Sequence, residues 1–153
     1  MSGPAQRPTA SPIGVLVEER FSITERLPGE LHSVVDGFRV GAMRRVTRER
    51  LASSGLACVA DDAALVVSEL VSNAILHSGG NHILVTLDLS DGVLGIRVHD
   101  GGPGPRSTLQ RPGDDDEHGR GLILVQAIAN SRHGAWGVSD NGATTWCELK
   151  AYP

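Results

Sequence analysis

The stretch VADDAALVVSELVSNAILHSGGNHILVTLDLSDGVLGIRV (Val59–Val98) changes its hydrophobic period in the middle. From Val59 to Leu76 the apolar residues follow a helical spacing. Val66, Val67, Leu70, Val71 and Ala74 form a broad apolar face, and Ser78-Gly79-Gly80 closes the helix. Ile83, Val85, Leu87 and Leu89 then alternate with more mixed positions. Ser90-Asp91-Gly92 supplies a turn, and Leu94, Ile96 and Val98 alternate again, the signature of a β-hairpin. A helix that runs straight into a hairpin departs from the strict strand–helix alternation of a doubly wound sheet.

Working outward from this stretch, Val15 to Leu27 carries weak alternation and reads as an edge strand ended by Pro28-Gly29. Leu31, Val34, Val35, Phe38 and Ala42 recur at spacings of three and four, predicting a helix over about Glu30–Ala52, closed by Ser53-Ser54-Gly55. Its other face holds Arg44, Arg45, Arg48 and Arg50 and reads as a solvated basic face, with a partner-binding surface as the sharper alternative. On the C-terminal side, a Gly/Pro-rich and then acidic stretch from Asp100 to His118 exceeds the usual connection of about 4–6 residues and reads as a lid or binding loop. A helix over about Gly121–Asn130 follows, then strands near Ala135–Ser139 and Thr144–Lys150 joined by Asp140-Asn141-Gly142. The order predicts an α+β fold: a two-layer sandwich with helices on one face of a mixed, largely antiparallel sheet. Residues 1–13, a mixture of Pro, Ser, Thr, Ala and Gly, read as a flexible tail, and 14–153 as one domain.

Composition narrows the chemistry. The 153 residues carry a net charge of -4, and aromatics make up 3%, which argues against a phosphate-binding nucleic-acid module or a base-stacking one. No apolar run has the roughly 20 residues of a membrane span, and no secretion signal is legible, so the expectation is a cytoplasmic protein without a membrane partner. Of the 14 basic residues only Lys150, near the C-terminus, is lysine. That excludes a Walker-type loop, a kinase strand lysine and an internal Schiff base. Phosphates, if handled, must be held by backbone amides, arginine and a metal. Cys58 and Cys147 lack metal-type spacing and read as reduced core residues. His32, His82, His99 and His133 lack ligand spacing with one another and read as structural or exposed, and His118 as a neighbour of the phosphate loop.

Three elements carry chemistry. On the second helix Glu69, Asn73 and His77 stand at i, i+4 and i+8, an arc of about 80°. They form one polar stripe at the border of the apolar face, suited to orienting a metal and a nucleophile, although an ordinary polar helix edge explains the stripe alone equally well. Asp100-Gly101-Gly102-Pro103-Gly104 follows the second hairpin strand. Its glycines allow close backbone approach, and its carboxylate can accept from an exocyclic amine; a simple turn is the competing reading. Gly119-Arg120-Gly121-Leu122 leads into the next helix, whose free N–H groups bind phosphate well, with Arg120 adding charge. It is not a dinucleotide fingerprint, because Leu124 stands where a third glycine belongs.

In this order the motifs ELVSNAILH (Glu69–His77), DGGPG (Asp100–Gly104) and GRGL (Gly119–Leu122) resemble the N, G1 and G2 boxes of the GHKL ATPases, the superfamily of gyrase, MutL and histidine kinases. DDAALVVSELVSNAILHS in a short chain is similar, more closely, to the anti-sigma-factor serine kinases. The resemblance covers roughly Arg44–Leu149. It implies ATP and Mg2+ as ligands, with Asn73 the magnesium ligand and Glu69 the general base. Asp100 is then the acceptor for the adenine amino group, while Gly102 and Gly104 admit the nucleotide. Gly119, Arg120 and Gly121 hold the triphosphate under the lid, and His77 and Leu122 complete the nucleotide-binding motifs. Thr144, in GATTW, matches a threonine near the adenine. Ala143 before it and the acidic run Asp114–Glu117 depart from the family pattern.

The activity implied is an ATP-dependent protein serine/threonine kinase that phosphorylates an anti-sigma-factor antagonist and, in another state, sequesters a sigma factor, with homodimerisation frequent among relatives. A non-catalytic ATP-binding regulatory module is the alternative. A histidine kinase fragment ranks last, because no phosphoacceptor helix pair is legible.

Overall fold

A computed structural model describes residues 14–23, 34–77, 82–100, 117–139 and 142–152. Five strands and three helices follow in the order β1 (Val15–Ser22), α1 (Val34–Ser53), α2 (Ala57–His77), β2 (His82–Ser90), β3 (Val93–Asp100), α3 (Glu117–Ser131), β4 (Ala135–Ser139) and β5 (Thr144–Lys150). The sheet order is β1-β2-β3-β5-β4. All its pairings are antiparallel, so the expected α+β architecture is present. The tail, the closing residues of α2 at 78–80 and the loop 101–116 lie outside the described residues.

The hairpin β2–β3 turns on Asp91 and Gly92, at φ of 53° and 77°. Two successive left-handed residues make the two-residue turn whose twist matches that of the strands it joins, and glycine takes the second without steric cost. Helix α1 ends in the same economical way. Gly55 lies at φ 80°, Leu56 N–H donates to Leu51 O at 2.8 Å, and Gly55 N–H donates to Ala52 O at 3.2 Å. This capping pattern satisfies two carbonyls of the last turn and lets α2 begin at once.

One core joins the layers. Leu51 of α1, Val66, Val67 and Leu70 of α2, and Leu122 and Val125 of α3 pack on Ile83, Leu87, Leu94, Ile96 and Leu149 of the sheet. On β3 the buried Leu94, Ile96 and Val98 alternate with Gly95, Arg97 and His99, so the helices cover one face only. At the far end of α3, Gly134 has no room for a Cβ against the Glu148 carbonyl. There Arg132 Nε reaches Asp62 at 2.7 Å, tying α3 to α2.

One expectation needs correction. Cys58 is exposed, its Sγ donating to Ala151 O at 3.1 Å, because it lies in the first turn of α2 before the apolar face begins. Cys147 is buried as expected, and burial followed by the nearby Glu148 charge pushes its thiol up to about 12, which keeps it unreactive. Among the described residues no helix is long and apolar enough to cross a membrane.

Thr47 is fully buried on α1, and its Oγ1 has no hydrogen-bond partner among the described residues. A desolvated hydroxyl without a partner costs stability that a methyl group of the same shape does not. Thr47→Val is therefore expected to stabilise the fold by about 1 kcal/mol, raising Tm by about 2–4 °C in thermal unfolding. A lower Tm for the variant contradicts the unpartnered hydroxyl.

Candidate functional site

The polar stripe of α2 lies where the helical period placed it. Glu69 is half-buried, and Asn73, one turn further on, is 7% exposed. His77 is the last residue of α2, its side chain outside the described part. The Asn73 Oδ1 is buried and has no hydrogen-bond partner among the described residues. A buried carbonyl oxygen without a donor costs stability, so this oxygen is an acceptor open to a group outside the described residues.

Burial raises the Glu69 carboxyl above its ordinary value of 4.5, and the positive charge of Arg44 on α1 draws it back in part. Sequence reasoning placed Arg44 on a solvated basic face. In the structure it is half-buried with its charge felt at Glu69, whereas Arg48 pairs with Asp61 at 2.9 Å and Arg50 donates to the Leu16 carbonyl at 2.9 Å. No local signal separates Arg44 from its neighbours, because the packing of α1 on α2 makes the difference.

Asp100 ends β3. Its side chain is buried, and its N–H donates to Ala143 O at 2.9 Å, which fixes the strand end against the approach to β5. Alternation puts Asp100 on the face of Val98, the face that the helices cover. The register pairs Val98 with Thr145 and His99 with Thr144. Thr144 therefore faces the other way, where His99 Nδ1 and Thr144 Oγ1 share a hydrogen bond at 2.7 Å. The threonine on the side-chain face of Asp100 is Thr145, and Thr144 shares the face of His99. The signal was present in the sequence, since the core residues Cys147 and Leu149 lie two and four positions beyond Thr145.

The third motif also shifts. Helix α3 begins at Glu117 and not near Gly121, so GRGL occupies its first two turns instead of preceding it. The first four N–H groups of a helix, counted from its N-cap, lack intrahelical acceptors, which leaves that of Gly119 open to an anion and takes those of Arg120 and Gly121 into the helix. The Leu122 side chain is in the core. Gly121 instead meets Glu69: a Cβ at Gly121 would overlap the Glu69 Oε1 and lie 3.5 Å from its Cδ. Gly102 and Gly104 lie outside the described residues.

Glu69, Arg44 and the second turn of α3 thus come together, with Asn73 one turn along and Asp100 on the helix-covered face of the sheet. The family of histidine kinase-like ATPase domains matches residues 36–146, which span every one of these positions. The chain belongs to this family. None of the curated proteins compared with the chain matches it. Histidine kinase-like ATPase domains bind ATP, typically with Mg2+, and the residues here fit that pair. Among the described residues no three His, Cys, Asp or Glu side chains gather into a metal cage. Mg2+ does not need one, since it takes oxygen donors, keeps several waters and is shared with substrate phosphates, so one buried amide oxygen is an appropriate protein ligand. In this histidine kinase-like ATPase, Asn73 would hold the ion, which supplies charge neutralisation for the phosphates when bound.

Proposed function

We propose that the protein is an ATP-dependent protein serine/threonine kinase of the anti-sigma-factor type, which phosphorylates an anti-sigma-factor antagonist and sequesters a sigma factor. The observation that carries the reading is the pairing of a desolvated carboxylate, Glu69, with the buried amide oxygen of Asn73, which has no partner among the described residues, one helical turn apart. Nucleotide binding alone needs the second and not the first. A carboxyl raised by burial is a better proton acceptor near neutral pH than an ordinary one, which suits a general base.

Phosphoryl transfer asks a protein for positioning and charge stabilisation more than for covalent chemistry. Glu69 accepts the proton of the incoming serine or threonine hydroxyl. The hydroxyl oxygen forms its bond to the γ-phosphorus as the bond to the β-phosphate bridging oxygen breaks, and ADP leaves with that electron pair. Asp100 accepts from the adenine amino group. The N–H of Gly119, at the positive end of α3, binds a phosphate oxygen. The closer sequence similarity, DDAALVVSELVSNAILHS, supports the anti-sigma-factor subtype and with it the antagonist as phosphoacceptor and the sigma factor as second partner.

The test is incubation with labelled ATP and a panel of antagonist domains. Transfer of label to serine or threonine of one antagonist supports the reading. Nucleotide binding without transfer to any antagonist replaces it with the non-catalytic regulatory module.

A further inference from the structure

We propose that Gly121 is a positioning residue for Glu69: by lacking a side chain it leaves the space that the Glu69 carboxylate occupies against α3. The proposal rests on Glu69 being the base of the reading above. Gly121 lies inside a helix and has no left-handed φ, so its backbone conformation does not call for glycine. Glycine within a helix is unfavourable relative to alanine. What Gly121 provides is room. A Cβ there would overlap the Glu69 Oε1, lie 3.5 Å from Cδ and stand 4.0 Å from the Glu69 Cβ, so the conflict falls at the reactive end of the side chain. The helical glycines of α1 differ: Gly37 and Gly41 have nothing within 4 Å of an added Cβ.

The carboxylate is therefore lodged between two helices, with the Arg44 charge on α1 and the bare Cα of Gly121 on α3. A methyl group at 121 does not have to break the fold, because a glutamate side chain can rotate away. The carboxylate moves instead, and a displacement of about 1 Å at a reacting group costs about 10²-fold in rate.

The experiment is a cycle of wild type, Gly121→Ala, Glu69→Ala and the double variant. Without nucleotide, Gly121→Ala is expected to leave Tm unchanged or lower it when Glu69 is present. In the Glu69→Ala background it is expected to raise Tm by about 1–4 °C, the gain of an unobstructed glycine-to-alanine change in a helix. With nucleotide, Gly121→Ala is expected to keep Mg2+-ATP affinity by calorimetry and the KM for ATP within about threefold, while kcat for transfer falls about 10²-fold. Equal Tm shifts in both backgrounds overturn the proposal. So does a loss of Mg2+-ATP affinity that is as large in Glu69→Ala as in wild type, which assigns Gly121 to the nucleotide. Absence of transfer by the wild type overturns the kinase reading instead, and the Tm cycle still decides the contact.

Discussion

Glu69→Gln is expected to lower phosphoryl transfer by about 10²- to 10⁴-fold, the usual contribution of a positioned base, while Mg2+-ATP affinity stays within a few fold. Glutamine keeps the length and the hydrogen-bonding outline of glutamate and removes only its basicity. The same change is expected to raise the Tm of the nucleotide-free protein at neutral pH. Burial lifts the Glu69 carboxyl above 4.5, so the folded chain takes up its proton more readily than the unfolded chain. As pH rises through the folded value, the unfolded state has already ionised and the folded state must carry a charge it solvates poorly. The stability contributed by the neutral form is present at acid pH and lost above that window. Glutamine is free of the penalty, so the gain in Tm should shrink as pH falls below the folded value. The acid limb of the wild-type transfer profile should, by the same shift, lie above that of an ordinary carboxylate. Thermal unfolding across pH and transfer kinetics measure both; a Tm for Glu69→Gln below wild type at neutral pH contradicts the desolvated carboxylate.

Asn73→Ala acts on a different property. Its buried Oδ1 has no partner among the described residues, so loss of that oxygen takes no hydrogen bond away within them. A bond from a neutral group to a charged one is worth about 1.5–3 kcal/mol, and loss of the amide oxygen is accordingly expected to weaken Mg2+-ATP binding about 10- to 100-fold. Nucleotide binding measured in a chelator should change far less, because the ion that Asn73 would hold is then absent in both proteins. If Asn73→Ala instead unfolds the domain without weakening Mg2+-ATP, the amide is a structural group and the metal assignment is wrong.

The legible parts of the fold were those in which local pattern and tertiary demand coincide. The alternation of β2 and β3, the Asp91-Gly92 turn and the long apolar face of α2 each follow from steric and burial rules that act within a few residues. The start of α3 lies ahead of the expected one because Gly119 and Gly121 have low helix propensity, yet the helix runs through both, and at Gly121 the bare backbone makes room for Glu69. The faces of Thr144 and Thr145 follow from the period of two counted back from the buried Cys147 and Leu149, which sets Thr145 on the helix-covered side and Thr144 on the other. Arg44 and the Glu69–Gly121 contact were not readable at all. Each depends on how two helices far apart in sequence pack, and nothing local to either residue encodes the partner.

The central claim is that the stripe of α2 and the end of β3 form an adenine nucleotide site. It is tested most directly by calorimetric titration of the wild-type protein with ATP and with GTP in Mg2+. In the proposed site Asp100 would accept from the adenine amino group, whereas opposite guanine it would face a carbonyl, which sets two acceptors against each other in a buried place. The account predicts binding of ATP with GTP at least about tenfold weaker; equal affinity for the two, or no binding of either, contradicts it.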